Sequence, residues 1–104
     1  MTFLAWLIFV AAAVLEVGGD AVVRSGLRGH RLLFIALGFL MLGCYGIVVN
    51  MVKWDFSRLL GTYVAIFAVI SFLFGALLFG ETISLPKYAG LALIVAGGLV
   101  IQFA

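Results

Sequence analysis

The stretch FLAWLIFVAAAVLEVGGDAVV, residues Phe3–Val23, decides the reading of this chain. Its apolar residues show no period-2 alternation, and its length matches the ~20 residues that a helix needs to cross a ~30 Å hydrocarbon core. Helices and closed barrels are the structures that satisfy the backbone in lipid, and the missing alternation leaves the helix. Two acids interrupt the run, Glu16 and Asp20. Glu16 lies about 4–5 Å past the midpoint at 1.5 Å rise per residue. An ionised carboxylate at that depth costs several kcal/mol unless a partner or a proton neutralises it. Glu16 is therefore the first candidate for function.

Working outward, three further apolar runs follow: Leu32–Val52, Leu59–Phe79 and Pro86–Phe103. The chain is 67% hydrophobic, with six basic and four acidic side chains in 104 residues. Its mean hydropathy of +1.41 belongs to an integral membrane protein. The expected fold is all-α: one four-helix transmembrane domain over residues 1–104, with helices at about 3–23, 32–52, 59–79 and 86–103. Met1–Thr2 offers no basic leader, so the first run reads as a span and not as a cleaved signal. The connections Arg24–Arg31, Lys53–Arg58 and Gly80–Leu85 are short enough to make successive helices antiparallel neighbours. Trp54 and Tyr88 fall at helix ends, and Ser84 followed by Pro86 reads as a helix start. The first and third connections carry Arg24, Arg28, Arg31 and Lys87, against Lys53 and Arg58 on the other side. This weak bias favours cytoplasmic first and third loops in a bacterial-type inner membrane, and it is small enough to permit both orientations.

Several function classes drop out. Cys44 is the only cysteine and reads as a packing residue; His30 is the only histidine and sits in a basic loop. Neither belongs to a metal-ligand cluster, and no Walker-type loop couples the chain to ATP. The basic residues hug helix ends as headgroup and topology determinants, so no nucleic-acid partner is expected. With no nucleophile–base pair and no cofactor loop, the sequence reads as a non-enzyme without cofactors.

On a helix, Glu16 shares a face with Ala12, Ala13, Gly19 and Asp20. Gly19 and the alanines leave space beside the carboxylate for a ligand or a neighbouring helix. Such an acid holds either a proton or a cation, and that exclusivity is the simplest basis for proton/cation exchange. Asp20 supports two readings: an interfacial pair with Arg24 at i+4, or a second carboxylate that passes protons or touches a larger substrate. Tyr63, with Thr62, opens helix three, and Phe67 follows one turn on; aromatic faces hold organic cations, and the Tyr63 hydroxyl can bond a carboxylate. Tyr45 and Asn50 are polar positions of helix two, Asn50 reading as solvated, and Glu81 reads as structural at the end of helix three. In helix four, Gly90 and Gly97 stand two turns apart beside Ala89 and Gly98, which lets another helix approach closely.

Together these residues resemble the small multidrug resistance family, within the drug/metabolite transporter superfamily, over essentially the whole chain. Leu15-Glu16-Val17-Gly18-Gly19 followed by Arg24 is similar to that family's Glu-x-x-Gly segment with its downstream basic residue. Gly90-Leu91-Ala92-Leu93-Ile94-Val95-Ala96-Gly97-Gly98 is similar to its dimerisation motif, GLxLIxxGV, and is the most specific match. Phe79-Gly80-Glu81-Thr82-Ile83-Ser84-Leu85 resembles a segment found throughout the superfamily. The resemblance implies a proton-coupled exporter of cations, working as an antiparallel (dual-topology) homodimer or paired with a paralogue. Glu16 of each subunit would hold proton and substrate, and Gly90, Leu93, Ile94, Gly97 and Gly98 would form the dimer interface. Departures are specific. Leu60 stands where the family has a Tyr, and Tyr63 where it commonly has a Trp. Ala65-Ile66-Phe67 replaces the Gly-x-Gly at which helix three bends, leaving Gly61 as the nearby alternative. Gly19 replaces the Trp of the guanidinium-exporting subtype.

The leading expectation is a proton-driven antiporter of small organic or hydrophobic cations. The alternatives are a flippase-type subunit for lipid-linked sugars or metabolites, and a small membrane subunit of a heteromeric transporter. An anionic headgroup passing at depth would prefer basic residues to Glu16, which favours the first.

Overall fold

The computed structural model describes residues 3–104, which form four helices: α1 (Phe3–Arg28), α2 (Leu32–Val49), α3 (Phe56–Leu78) and α4 (Leu85–Phe103). Among the described residues there is no strand, and each helix is long and apolar enough to cross a bilayer. The protein is an all-α, multi-pass membrane protein. Large apolar side chains turn outward, Leu77 and Leu85 being 80% and 81% exposed. Lipid accepts such surfaces where water would not.

The chain divides into two compact units, Met1–Val52 and Lys53–Ala104, each holding one pair of packed helices. In the first, α1 runs past the apolar stretch that ends at Val23 and continues through Arg24 and Arg28. Hydropathy marks how far the chain lies in hydrocarbon; backbone hydrogen bonding continues into the headgroup region, where long basic side chains reach water. The reversal then takes three residues. His30 adopts φ 54, in the left-handed region, and the Arg31 N–H bonds the Gly26 carbonyl at 2.8 Å. The Arg31 carbonyl accepts from Phe34 and Ile35 to start α2, and its guanidinium lies 5.1 Å from the Phe34 ring centre. At the far end of α2, the Asn50 amide donates to the Gly46 carbonyl at 2.7 Å, so this exposed residue closes the helix as well as meeting solvent.

In the second unit, α3 starts at Phe56, ahead of the apolar run, because the Asp55 carbonyl accepts from the Leu59 N–H at 2.8 Å. Thr62 and Tyr63 therefore lie well inside the helix and do not open it. α3 ends at Leu78, the chain reverses at Gly80, whose φ of 63 favours glycine, and the Glu81 N–H folds back onto the Gly75 carbonyl at 3.0 Å. Ser84 does start α4, with Pro86 in the first turn, but its side chain makes no capping bond; its carbonyl accepts from Tyr88 at 3.2 Å.

Candidate functional site

A strict 4-3 stripe runs down α1: Ala5, Phe9, Ala12, Glu16, Gly19, Val23 and Gly26. Such spacing keeps one helix face toward a neighbour over many turns. The neighbour is α2, whose facing residues Ile35, Gly38, Leu42 and Tyr45 repeat with the complementary 3-4-3 spacing. A Cβ on Gly26 would lie 2.9 Å from Ile35 Cγ1. One on Gly19 would lie 3.0 Å from Leu42 Cγ and 3.2 Å from the Gly38 carbonyl oxygen. One on Gly38 would strike Val23 Cγ2 and stand 2.9 Å from the Gly19 carbonyl oxygen. The two backbones thus touch at Gly19 and Gly38.

Glu16 is the next member of the stripe, one step deeper than Gly19. It is half-buried, and Tyr45, the α2 residue one step beyond Leu42, stands within electrostatic reach of its carboxylate. Of the two occupants expected for the space beside Gly19, the structure places the neighbouring helix there. Gly19 serves the site by letting α2 come close enough to present Tyr45. Asp20 lies off this stripe and is exposed, one turn from both Glu16 and Arg24.

Tyr63 and Phe67 belong to the second unit. Tyr63 is 3% exposed, and its ring centre lies 6.3 Å from that of Phe67, with the planes tilted by 36°. On the same helix, Gly61 lies against Ile101 of α4, a Cβ there falling 2.8 Å from Ile101 Cδ1. α3 is helical without a break, so this glycine serves packing. Gly98 lies against α3 as well: a Cβ there would fall 2.6 Å from the Ala65 Cβ. Gly90 and Gly97 have open space beside them, and Leu93 and Ile94 are 75% and 40% exposed. Four of the five residues of the helix-four motif thus lie away from α3, and Gly98 faces it.

Two residues matter more than the sequence indicated. Tyr45 stood out only as a polar position of helix two; its nearness to Glu16 depends on the three-residue turn and on Gly38, which together set the register. Gln102, in the last turn of α4, is 4% exposed. Its side-chain oxygen accepts from Thr62 at 3.5 Å, and its backbone carbonyl accepts from Arg58 at 3.2 Å. The Arg58 guanidinium also lies 4.9 Å from the Trp54 ring centre. A glutamine so near the end of an apolar run reads as interfacial, and nothing in the spacing signals its burial. Among the described residues, no group of His, Cys, Asp or Glu is placed to hold a metal ion.

Comparison with known proteins adds the lineage. The chain is 36% identical over 100 residues to a "UPF0060 membrane protein" of Rhodococcus erythropolis, covering 94% of this chain and 93% of that protein. It is 36% identical over 100 residues to the protein of the same description from Mycolicibacterium vanbaalenii, with the same coverage. To that of Streptomyces avermitilis it is 35% identical over 99 residues, covering 93% of this chain and 88% of the relative. No solved structure matches. The family described as "Uncharacterised BCR, YnfA/UPF0060 family" matches residues 2–104. The family match over residues 2–104, with relatives alike over nearly their full length, places this chain in the YnfA/UPF0060 family of membrane proteins.

Proposed function

We propose that this protein is a proton-coupled secondary antiporter that exports small organic or hydrophobic cations, with Glu16 as the group that proton and substrate share. The observation that carries this reading is the half-buried position of Glu16 on the α1–α2 seam, beside Tyr45 and between small residues. A carboxylate there is stable when neutralised, and a proton or a cation serves equally. Each species leaves as the other arrives, which couples the two fluxes without ATP.

Tyr45 positions the exchange. In this reading its hydroxyl is the donor for the ionised acid and gives way when a cation takes that place. Asp20 shuttles protons between Glu16 and the membrane surface. On α3, the half-buried Phe67 offers an aromatic face to an organic cation, with the buried Tyr63 backing its ring. Two antiparallel copies complete the pathway, since four helices enclose little volume; α4 supports this with open space at Gly90 and Gly97 and exposed Leu93 and Ile94. The small multidrug resistance family, which the motifs around Glu16 and in α4 resemble, works in this way. Alternating access of the Glu16 pair to the two sides then gives net export.

Purified protein titrated with a panel of organic cations should release protons, and Glu16→Gln should release none. Tyr45→Phe should retain release while transport in vesicles slows by about tenfold or more, the effect of losing one hydrogen bond to a charged group. Full cation resistance in cells that carry only Glu16→Gln would refute the reading.

A further inference from the structure

Close to the turn of the second hairpin, a cavity of about 390 Å³ opens among Ser71, Phe72, Glu81, Ile83 and Lys87. That volume is within the range of small-molecule sites. All five residues belong to α3, the α3–α4 connection and the first turn of α4, so none of them lies on the α1–α2 seam that holds Glu16.

The placement of Glu81 is built into the turn. The left-handed Gly80 reverses the chain, the Glu81 N–H bonds the Gly75 carbonyl at 3.0 Å, and the Glu81 Oε1 lies where any side chain at position 75 would stand. The carboxylate is thereby folded back along α3, over the turn that follows Ser71. Ser71 already donates its hydroxyl hydrogen to the Ala68 carbonyl at 2.8 Å, so its oxygen is left to accept. Glu81 and Ser71 together therefore suit a group that donates several hydrogen bonds and carries positive charge. Lys87 brings a cation to the same cavity, and Phe72 and Ile83 supply an apolar wall. One charge of each sign, with acceptors clustered around the negative one, matches a ligand of the same internal polarity.

We propose that this cavity binds a zwitterion in which a primary ammonium is joined by a short apolar link to a phosphate. Glu81 and Ser71 receive the ammonium, and Lys87 receives the phosphate. Such a group comes either as the headgroup of an ethanolamine phospholipid or as a water-soluble phosphoamine. Trimethylation of the amine removes the N–H donors, and loss of the amine removes the charge, so neither choline nor glycerol phospholipids satisfy the site.

Native mass spectrometry of the full-length protein, equilibrated with an equimolar mixture of ethanolamine, choline and glycerol phospholipids, tests this directly. The ethanolamine lipid should be retained about two- to fivefold over each of the others, as an ion pair to the exposed Glu81 implies. Glu81→Gln should bring the lipids to parity, and Lys87→Gln should lower the retention of all three alike, since each carries the phosphate; Glu16→Gln should leave the preference intact, which separates this site from the transport reading. Addition of O-phosphoethanolamine assigns the source: displacement or direct uptake identifies the soluble zwitterion, and persistence of the lipid identifies the headgroup. Either outcome upholds the proposal. Circular dichroism checks that the variants fold, and if Glu81→Gln does not, Ser71→Ala, which removes the other acceptor for the ammonium, decides alone. Equal retention of all three lipids with no uptake of phosphoethanolamine overturns it, as does a preference that survives both Glu81→Gln and Ser71→Ala in folded protein.

Discussion

In the first hairpin, glycines on both helices bring backbone onto backbone, Gly19 against Gly38, with Gly26 closing the turn end. In the second, the contact at Gly98 is with the Ala65 methyl, Gly61 meets the flexible end of Ile101, and Thr62, Arg58 and Gln102 supply polar links. α1 and α2 are accordingly packed along more of their length than α3 and α4, whose turn end opens into a cavity. Lipid offers no hydrophobic drive for helices to associate, so close fit and hydrogen bonds must do it. The first hairpin relies on fit and can hold an acid rigidly on its seam. The second relies on a few side-chain contacts and leaves room beside its turn.

That contrast is open to test by substitution. Gly38→Ala should have the largest effect on stability, about 1–3 kcal/mol measured by denaturant titration in detergent, because the new methyl meets backbone that cannot yield. A cost below a few tenths of a kcal/mol would show that the hairpin is not held by close fit. Gln102→Leu comes next, at about 0.5–1.5 kcal/mol, since it leaves the buried Thr62 hydroxyl without its acceptor while the backbone bond to Arg58 persists. Thr62→Val combined with Gln102→Leu should recover part of that loss, a coupling that a double-mutant cycle measures. Gly61→Ala should cost less than about 1 kcal/mol, as Ile101 can turn its terminal methyl aside. Gly43→Ala, on the same helix as Gly38 but with nothing within 4 Å of the new atom, should fall within about 0.5 kcal/mol of the parent. If Gly38→Ala and Gly43→Ala behaved alike, the difference between the hairpins would have no energetic content.

The four spans were legible because hydropathy reports burial in lipid directly. Their ends were less so. Arg24 to Arg28 read as a connection although the helix continues through them, and α3 begins before Leu59, because capping and headgroup contacts extend a helix beyond its apolar part. Glu16 was legible as a charge with no solvent nearby. Tyr45 was not, since its meeting with Glu16 depends on the register between two helices, which His30 and the Gly19–Gly38 contact determine. Gln102 was hidden for a related reason: its neighbours Thr62 and Arg58 lie 40 and 44 positions away in the chain.

One feature of the first hairpin reaches beyond the protein itself. α1 has 26 residues and α2 has 18, about 39 Å and 27 Å at 1.5 Å per residue. A membrane that matches the shorter helix leaves the longer one overhanging, and a thicker membrane draws that overhang, with Arg24 and Arg28, toward the acyl chains. Because Gly19 and Gly38 lock the two together, the pair must tilt as one body, and the depth of Glu16 shifts with the acyl-chain length of the host lipid.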